Sequence, residues 1–338
     1  MRQLTIGPND GGQRLDKFLA KTFRTMPNAL LYKYIRKKCI TVNRKKVPES
    51  YILQTGDVLS LFIRDEFFED TPEREAFKQL LGETASQSGA FRVAYEDENI
   101  LIADKPAGML VHEDESERIH TLINLIQAYL YQKGEYRPEK ENCFAPALCN
   151  RIDRNTEGLV IAAKNARALA EMNEIIKQRK VEKTYLAAVH GVFSSPIGEL
   201  RSRLEKDERT NTVRVSAHRG KEAVTRYRVL RTDKSRQLSL LEVSLLTGRT
   251  HQIRAHMSHI GHPLFNDARY GGDRILRGVD TANYRKFVGN CFELCPRQAL
   301  HARTLGFKHP ATGEEIFFES PIPQDMQAAI DKWRTCPF

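Results

Sequence analysis

Asn150-Arg151-Ile152-Asp153-Arg154-Asn155-Thr156-Glu157-Gly158-Leu159 sets one carboxylate between two arginines and then breaks at a glycine into the apolar run Leu159 to Ala163. Nearby positive charge favours the ionised form of a carboxylate, so Asp153 is expected to stay charged and nucleophilic at neutral pH. The same composition also suits a structural ion pair, and the block by itself leaves both readings open. Two further segments follow in order: Lys183-Thr184-Tyr185-Leu186-Ala187, and Leu246-Thr247-Gly248-Arg249-Thr250-His251-Gln252-Ile253-Arg254-Ala255-His256.

The chain of 338 residues is 41% hydrophobic, enough for two domains and at least one large core. It has no run of eighteen apolar residues, and Met1 to Asp10 lacks the apolar core of a secretory signal. The expectation is a cytoplasmic protein with no membrane partner. Six cysteines, Cys39, Cys143, Cys149, Cys291, Cys295 and Cys336, form no Cys-x-x-Cys pair and read as reduced thiols rather than a metal knuckle.

Net charge is +10 and unevenly spread. Residues 1–64 carry thirteen Lys/Arg against four Asp/Glu, whereas residues 65–90 carry seven acids against Arg74 and Lys78. A basic head on a moderately basic body suits a polyanion, and the acidic stretch reads as a solvated linker.

In the head, Leu15, Phe18, Leu19 and Phe23 recur at helical spacing. A second helix is expected with Asn28 as its cap, a stripe of Leu30, Leu31, Tyr34 and Ile35, and a cluster of Lys33, Arg36, Lys37 and Lys38 suited to phosphates. Cys39 to Asn43 reads as a strand, Arg44-Lys45-Lys46 as a basic turn, and Val58 to Ile63 as a strand after the Gly56-Asp57 turn. Within the linker a short helix is expected near Glu73 to Leu81. From Phe91 a new unit begins, with a strand from Asn99 ending in the turn Lys105-Pro106-Ala107-Gly108. Helices are expected over Thr121 to Tyr131 and from an Asn165 cap to Arg179, and strands at Lys183 to His190, Ala223 to Leu230 and Leu238 to Leu246. Helices and strands intermingle without strict alternation, which argues for an α+β fold with a mixed, mainly antiparallel sheet and flanking helices.

Taken together, the Arg-x-Asp block, the Lys-x-Tyr strand and the Gly-Arg-x-His-Gln-x-Arg block resemble the RluA family of pseudouridine synthases. The resemblance implies the pseudouridine synthase fold over residues 91–330. The head, through Arg14-Leu15-Asp16-Lys17-Phe18-Leu19, Ile40 to Asn43 and Gly56-Asp57, resembles the small RNA-binding domain of the fourth ribosomal small-subunit protein, over residues 1–64. Family resemblance implies that Asp153 acts at the anomeric carbon of a uridine, that Arg249 forms an ion pair with it, and that Tyr185 packs on the base and takes a proton during the reaction. It further implies that Arg151 enters the space left by a flipped nucleotide. Arg254 is expected to be a scaffold or phosphate contact. The chain departs from the family's common histidine, leucine and serine at Asn150, Ile152 and Glu157, with the arginine and aspartate kept in register.

His251, His256, His259 and His262 offer a metal-like spacing, but they fall inside the family block and no acidic ligand lies in the stretch, so no metal is expected. No phosphate-cradling glycine loop is present, and isomerisation retains every atom of the substrate, so no cofactor is expected. The implied substrate is 23S ribosomal RNA, with transfer RNA as the alternative, held at the head by Lys33, Arg36, Lys37, Lys38, Arg44, Lys45 and Lys46. No obligate protein partner is evident. Two competing classes are a noncatalytic RNA-binding ribosome-assembly factor and a hydrolase using Asp153, which would need a second carboxylate or an activated water.

Overall fold

A computed structural model describes residues 1–68, 90–207, 212–235, 237–276 and 281–335. The head is built from β1 (Arg2–Thr5), α1 (Leu15–Thr22), α2 (Asn28–Arg36), β2 (Ile40–Val42) and β3 (Val58–Leu61), with an antiparallel sheet of order β1-β3-β2. Leu15, Phe18, Leu19 and Phe23 are all buried, packed with Leu31 and Ile35 of α2 against Leu59 and Leu61 of the sheet. The amphipathic spacing thus becomes a separate core.

Three details of the head differ from expectation. The cap of α2 is Pro27, whose carbonyl accepts from Leu30 and Leu31, and Asn28 is the first helical residue with no capping bond. Proline's fixed φ presets the entry to the helix and leaves the side-chain cap unneeded. β1 was not anticipated. The head also runs past residue 64: Phe67, in a short 3-10 turn over Asp65–Phe68, is buried in its core, and Phe68 meets Phe23 edge-on at 5.1 Å between ring centres. Apart from this turn, most of the linker, including the helix expected at Glu73 to Leu81, lies outside the described residues.

The body comprises β4 (Arg92–Glu96), β5 (Ile100–Lys105), α3 (Leu122–Gln132), β6 (Ala147–Leu148), β7 (Glu157–Ala163), α4 (Ala166–Lys177) and β8 (Glu182–His190). It continues with β9 (Ile197–Asp207), β10 (Thr212–Ser216), β11 (Lys221–Asp233), β12 (Leu238–Leu245), α5 (Gln252–His259), α6 (Ala282–Leu294), β13 (Leu300–Lys308), β14 (Glu315–Glu319) and α7 (Gln324–Thr335). The strands form one sheet of order β10-β9-β11-β12-β8-β13-β7-β5-β4, with β14 on β13 and β6 on β7. Among the described residues β13 with β7 is the one parallel pairing, so the sheet is mixed and mainly antiparallel as the intermingled pattern required. Thr121 and Asn165 cap α3 and α4 through their side chains. The body extends beyond residue 330, because Trp333 of α7 is buried against Phe265.

Head and body meet through polar contacts. Asn142 donates to the Thr5 carbonyl and to Asp10, both at 2.7 Å, and the Ala166 amide donates to Asn9 at 3.1 Å. β7 is buried and lies between β5 and β13, so the loop that precedes it emerges from the interior of the sheet rather than from an edge. Gly158 makes this possible. Its φ of +122° lies in glycine's territory, and a Cβ there would collide with the Ala302 carbonyl where β7 and β13 run parallel.

Candidate active site

The segment before β7 is pinned from several sides. Asn150 accepts from the Ile161 amide at 2.8 Å, and the Asp153 carbonyl accepts from Thr156 at 3.0 Å, closing a turn. The Lys105 ammonium, fully buried, donates to the carbonyls of Pro106, Met109 and Arg154 at 2.7 to 3.0 Å. Burial, then the charge of Arg297, pushes its pKa down to about 7, while three carbonyls match the three hydrogens of an ammonium. The Gly108 amide donates to the same Arg154 carbonyl. The Lys105 to Gly108 turn therefore fixes the backbone one residue from Asp153.

Asp153 opens into a cleft of roughly 690 Å³, in which Arg151, Tyr185, Arg249, His251 and Arg254 also take part. Its Oδ2 accepts from Arg254 Nη1 at 3.0 Å. The other side of the same guanidinium grips Asp267 with two bonds, Nε at 2.7 Å and Nη2 at 2.8 Å. Side-chain exposure falls from 20% at Asp153 to 8% at Arg254 and 1% at Asp267. One buried cation thus stands between two carboxylates, the inner one inaccessible and the outer one facing the cleft. Both carboxylates outweigh desolvation and drive the Arg254 pKa upward, so it is a permanent charge. The guanidinium also lies over the Tyr270 ring at 4.9 Å.

This arrangement corrects two expectations. Arg249 lines the cleft but does not reach Asp153: its side chain is exposed and its Nε donates to the Glu222 carbonyl at 3.0 Å. The reason lies in Gln252, the buried first residue of α5. Its carbonyl oxygen accepts from Thr247 at 2.8 Å and from the Arg249 amide at 3.0 Å, while its amide donates to Val224 and Thr225. The Arg249 backbone is held against β11, and Arg254, carried by α5, takes the position beside the carboxylate. Likewise Arg151 and Arg154, which flank Asp153 along the chain, leave its side chain to Arg254. Arg154 donates to the Gly108 carbonyl at 3.0 Å, and Arg151 is exposed at the cleft.

Tyr185 lies in β8, paired with Val243 and Ala302, and is 8% exposed at the cleft. Burial and then the charge of Asp153 push its pKa well above the usual phenol value, so the hydroxyl is neutral. His251 adopts a left-handed φ of +49° just before α5, and its Nδ1 pairs with the Tyr270 hydroxyl at 3.0 Å. Its Nε2 stands 3.9 Å from Asp153, and burial lowers its pKa.

The four histidines do not converge. His256 sits between the hydroxyls of Ser202 and Thr225, each at 2.8 Å, and His262 pairs with the His190 carbonyl. No group of three or more potential metal ligands comes together among the described residues. Lys33, Arg36, Lys37, Lys38, Arg44, Lys45 and Lys46 are all exposed on the head, away from the cleft lining. Asn43 and Arg44, both at positive φ, form the hairpin turn that presents the last three, and Asn43 secures it by donating to Asp57 at 2.7 Å. Asp267 and Tyr270 had no local sequence signal. They lie in the segment after α5 and join the site through side-chain contacts alone.

The model of the RNA pseudouridylate synthase family matches residues 99–259. A Bacillus subtilis protein described as an uncharacterized RNA pseudouridine synthase is 31% identical over 98% of this chain and 97% of its own. Ribosomal large subunit pseudouridine synthase D of Pseudomonas aeruginosa is 36% identical over 94% of this chain and 90% of its own. Among solved structures, human RNA pseudouridylate synthase domain containing 4 superposes with a TM-score of 0.53 at 20% identity, covering 77% of this chain and 97% of that one, a likeness of fold.

Proposed function

Because the chain belongs to the RNA pseudouridylate synthase family, isomerases that act on RNA, we propose that it converts uridine to pseudouridine in large-subunit ribosomal RNA with Asp153 as the nucleophile. The observation that carries this reading is the pairing of the cleft-facing Asp153 with Arg254, itself anchored by the inaccessible Asp267. A carboxylate held by a fixed cation is positioned before substrate arrives and needs no reorganisation at the moment of reaction.

In the proposed sequence, Asp153 attacks the anomeric carbon as the bond to uracil N1 breaks. The uracil turns within the cleft, its C5 bonds to the same carbon as the carboxylate departs, and the C5 proton passes to solvent while N1 takes up a proton in its place. Every heavy atom of the nucleotide is retained. The free base must not escape, and the buried Tyr185 ring offers it a flat apolar wall. With its hydroxyl neutral in the free protein, Tyr185 offers the base a packing surface and a hydrogen-bond donor. Exposed at the cleft, the Arg151 guanidinium is suited to fill the gap left by a flipped nucleotide.

The head supplies general RNA affinity through Lys33, Arg36, Lys37, Lys38, Arg44, Lys45 and Lys46, in the manner of the fourth ribosomal small-subunit protein. Phosphate contacts of this kind position RNA, while the body chooses the uridine. The ribosomal target rests on the Pseudomonas aeruginosa relative's name. The test is pseudouridine mapping of ribosomal and transfer RNA from cells lacking the protein. Loss of a ribosomal site that returns with the wild-type protein supports the proposal, and loss confined to transfer RNA redirects the substrate.

A further inference from the structure

The lining of the cleft that holds Asp153 and Tyr185 also includes Cys149, Ile176, Arg179, Val181 and Lys183. Lys183 and Tyr185 are two residues apart on β8, so both side chains leave the same face of the strand, separated by about 7 Å along it. That step is comparable with the span from a nucleobase to a phosphate flanking its ribose.

Lys183 differs from the other enclosed lysines of the body. Lys105 gives its three hydrogens to three carbonyls, and Lys164 pairs with Glu96 and Glu135. Lys183 forms no hydrogen bond or ion pair among the described residues. Burial pushes its pKa down, and the one titratable group whose charge acts on it is the Cys149 thiol, itself pushed up to about 12 by burial and hence uncharged. The adjoining Glu182 is exposed, and strand alternation sends it to the opposite face. An ammonium partly withdrawn from water without a counter-charge is costly, and the neighbouring lining residues Ile176 and Val181 show that this wall would accept an apolar side chain. Arg179 also lines the cleft, exposed and with a left-handed φ of +58° two residues past the end of α4.

We propose that Lys183, with the exposed Arg179 of the same cleft, forms a phosphodiester subsite for the nucleotide adjoining the target uridine. The anion missing from the free protein arrives with the RNA. An ammonium paired only in the complex contributes to affinity, and it holds the strand so that the ribose of the flipped nucleotide meets Asp153. Lys183 is thus a positioning residue. The assignment rests on the RNA reading of the cleft.

The test uses the full-length protein and a short RNA fragment carrying the uridine identified by mapping. Binding is measured across a salt series for wild type, Lys183→Met and Lys183→Arg. Lys183→Met is expected to weaken binding about fivefold, the weight of one charged contact, and to reduce the slope of log affinity against log salt by about 0.7, the value for one single-strand phosphate. Lys183→Arg, which keeps the charge, retains the wild-type slope. A neutral methylphosphonate at the linkage flanking the uridine supplies the second arm. It should weaken wild-type binding and add nothing further in Lys183→Met, since both remove the same contact. An unchanged salt slope, or a methylphosphonate penalty that persists in full in Lys183→Met, overturns the subsite while leaving wild-type isomerisation intact. A wild-type protein that isomerises no uridine overturns the underlying RNA reading instead.

Discussion

Replacing Asp267 by asparagine perturbs the site without touching the cleft. The aspartate is 1% exposed and makes two charge-assisted bonds to Arg254, at 2.7 and 2.8 Å. Asparagine keeps one acceptor but presents its amide to the other guanidinium nitrogen, donor against donor. Breaking one partner of a buried pair costs about 3–5 kcal/mol, and the surviving bond returns part of that, so a loss of about 2–4 kcal/mol is expected. The reporter is built in: the single tryptophan, Trp333, packs on Phe265, two residues before the substitution. Urea unfolding followed by tryptophan fluorescence should show the lowered midpoint. Asp153→Asn should differ by less than about 1 kcal/mol, because Asp153 is partly exposed and Arg254 keeps its charge partner in Asp267. If Asp267→Asn costs less than about 1 kcal/mol, or Asp153→Asn costs as much as Asp267→Asn, the nested arrangement of the two carboxylates is wrong.

Gly158→Ala forces a left-handed φ and a collision with the Ala302 carbonyl, so it should cost at least about 2 kcal/mol and lower activity in step by shifting the Asp153 turn; a wild-type melting temperature would refute the constraint. Burial holds His256 neutral with a pKa of about 4 against an ordinary 6.5, so its folded form binds its proton last. Its contribution is therefore fully present above pH 6.5 and falls as pH drops from 6.5 towards 4, by about 1.4 kcal/mol per unit. His256→Gln should flatten that part of the stability curve, and a parallel curve would contradict the assignment.

The site was partly legible in local sequence. Asp153, Tyr185 and the block from Gly248 to Arg254 stand out because short motifs keep their residue types in fixed order, and the structure gathers them around one cleft. Which arginine meets the aspartate was not legible. Arg249 and Arg254 share one block, and the choice depends on where α5 starts and on Gln252 tying down the loop before it. Flanking arginines misled for a similar reason, since neighbours in sequence need not point the same way. Asp267 joins only through the fold, as does the support of Lys105 to Arg154, two residues 49 positions apart. Several helices and strands with strong apolar spacing were readable, but α6, β13 and α7 received no reading, β9 alternates charge with little apolar content, and β10 is only five residues long.

The most direct measurement uses purified protein and RNA labelled with tritium at uracil C5, the position where pseudouridine carries its glycosidic bond. Wild type should release tritium without releasing free uracil, and Asp153→Asn should bind the same RNA yet release none. Tritium release by Asp153→Asn at the wild-type rate, or free uracil from the wild-type protein, would contradict nucleophilic isomerisation at Asp153.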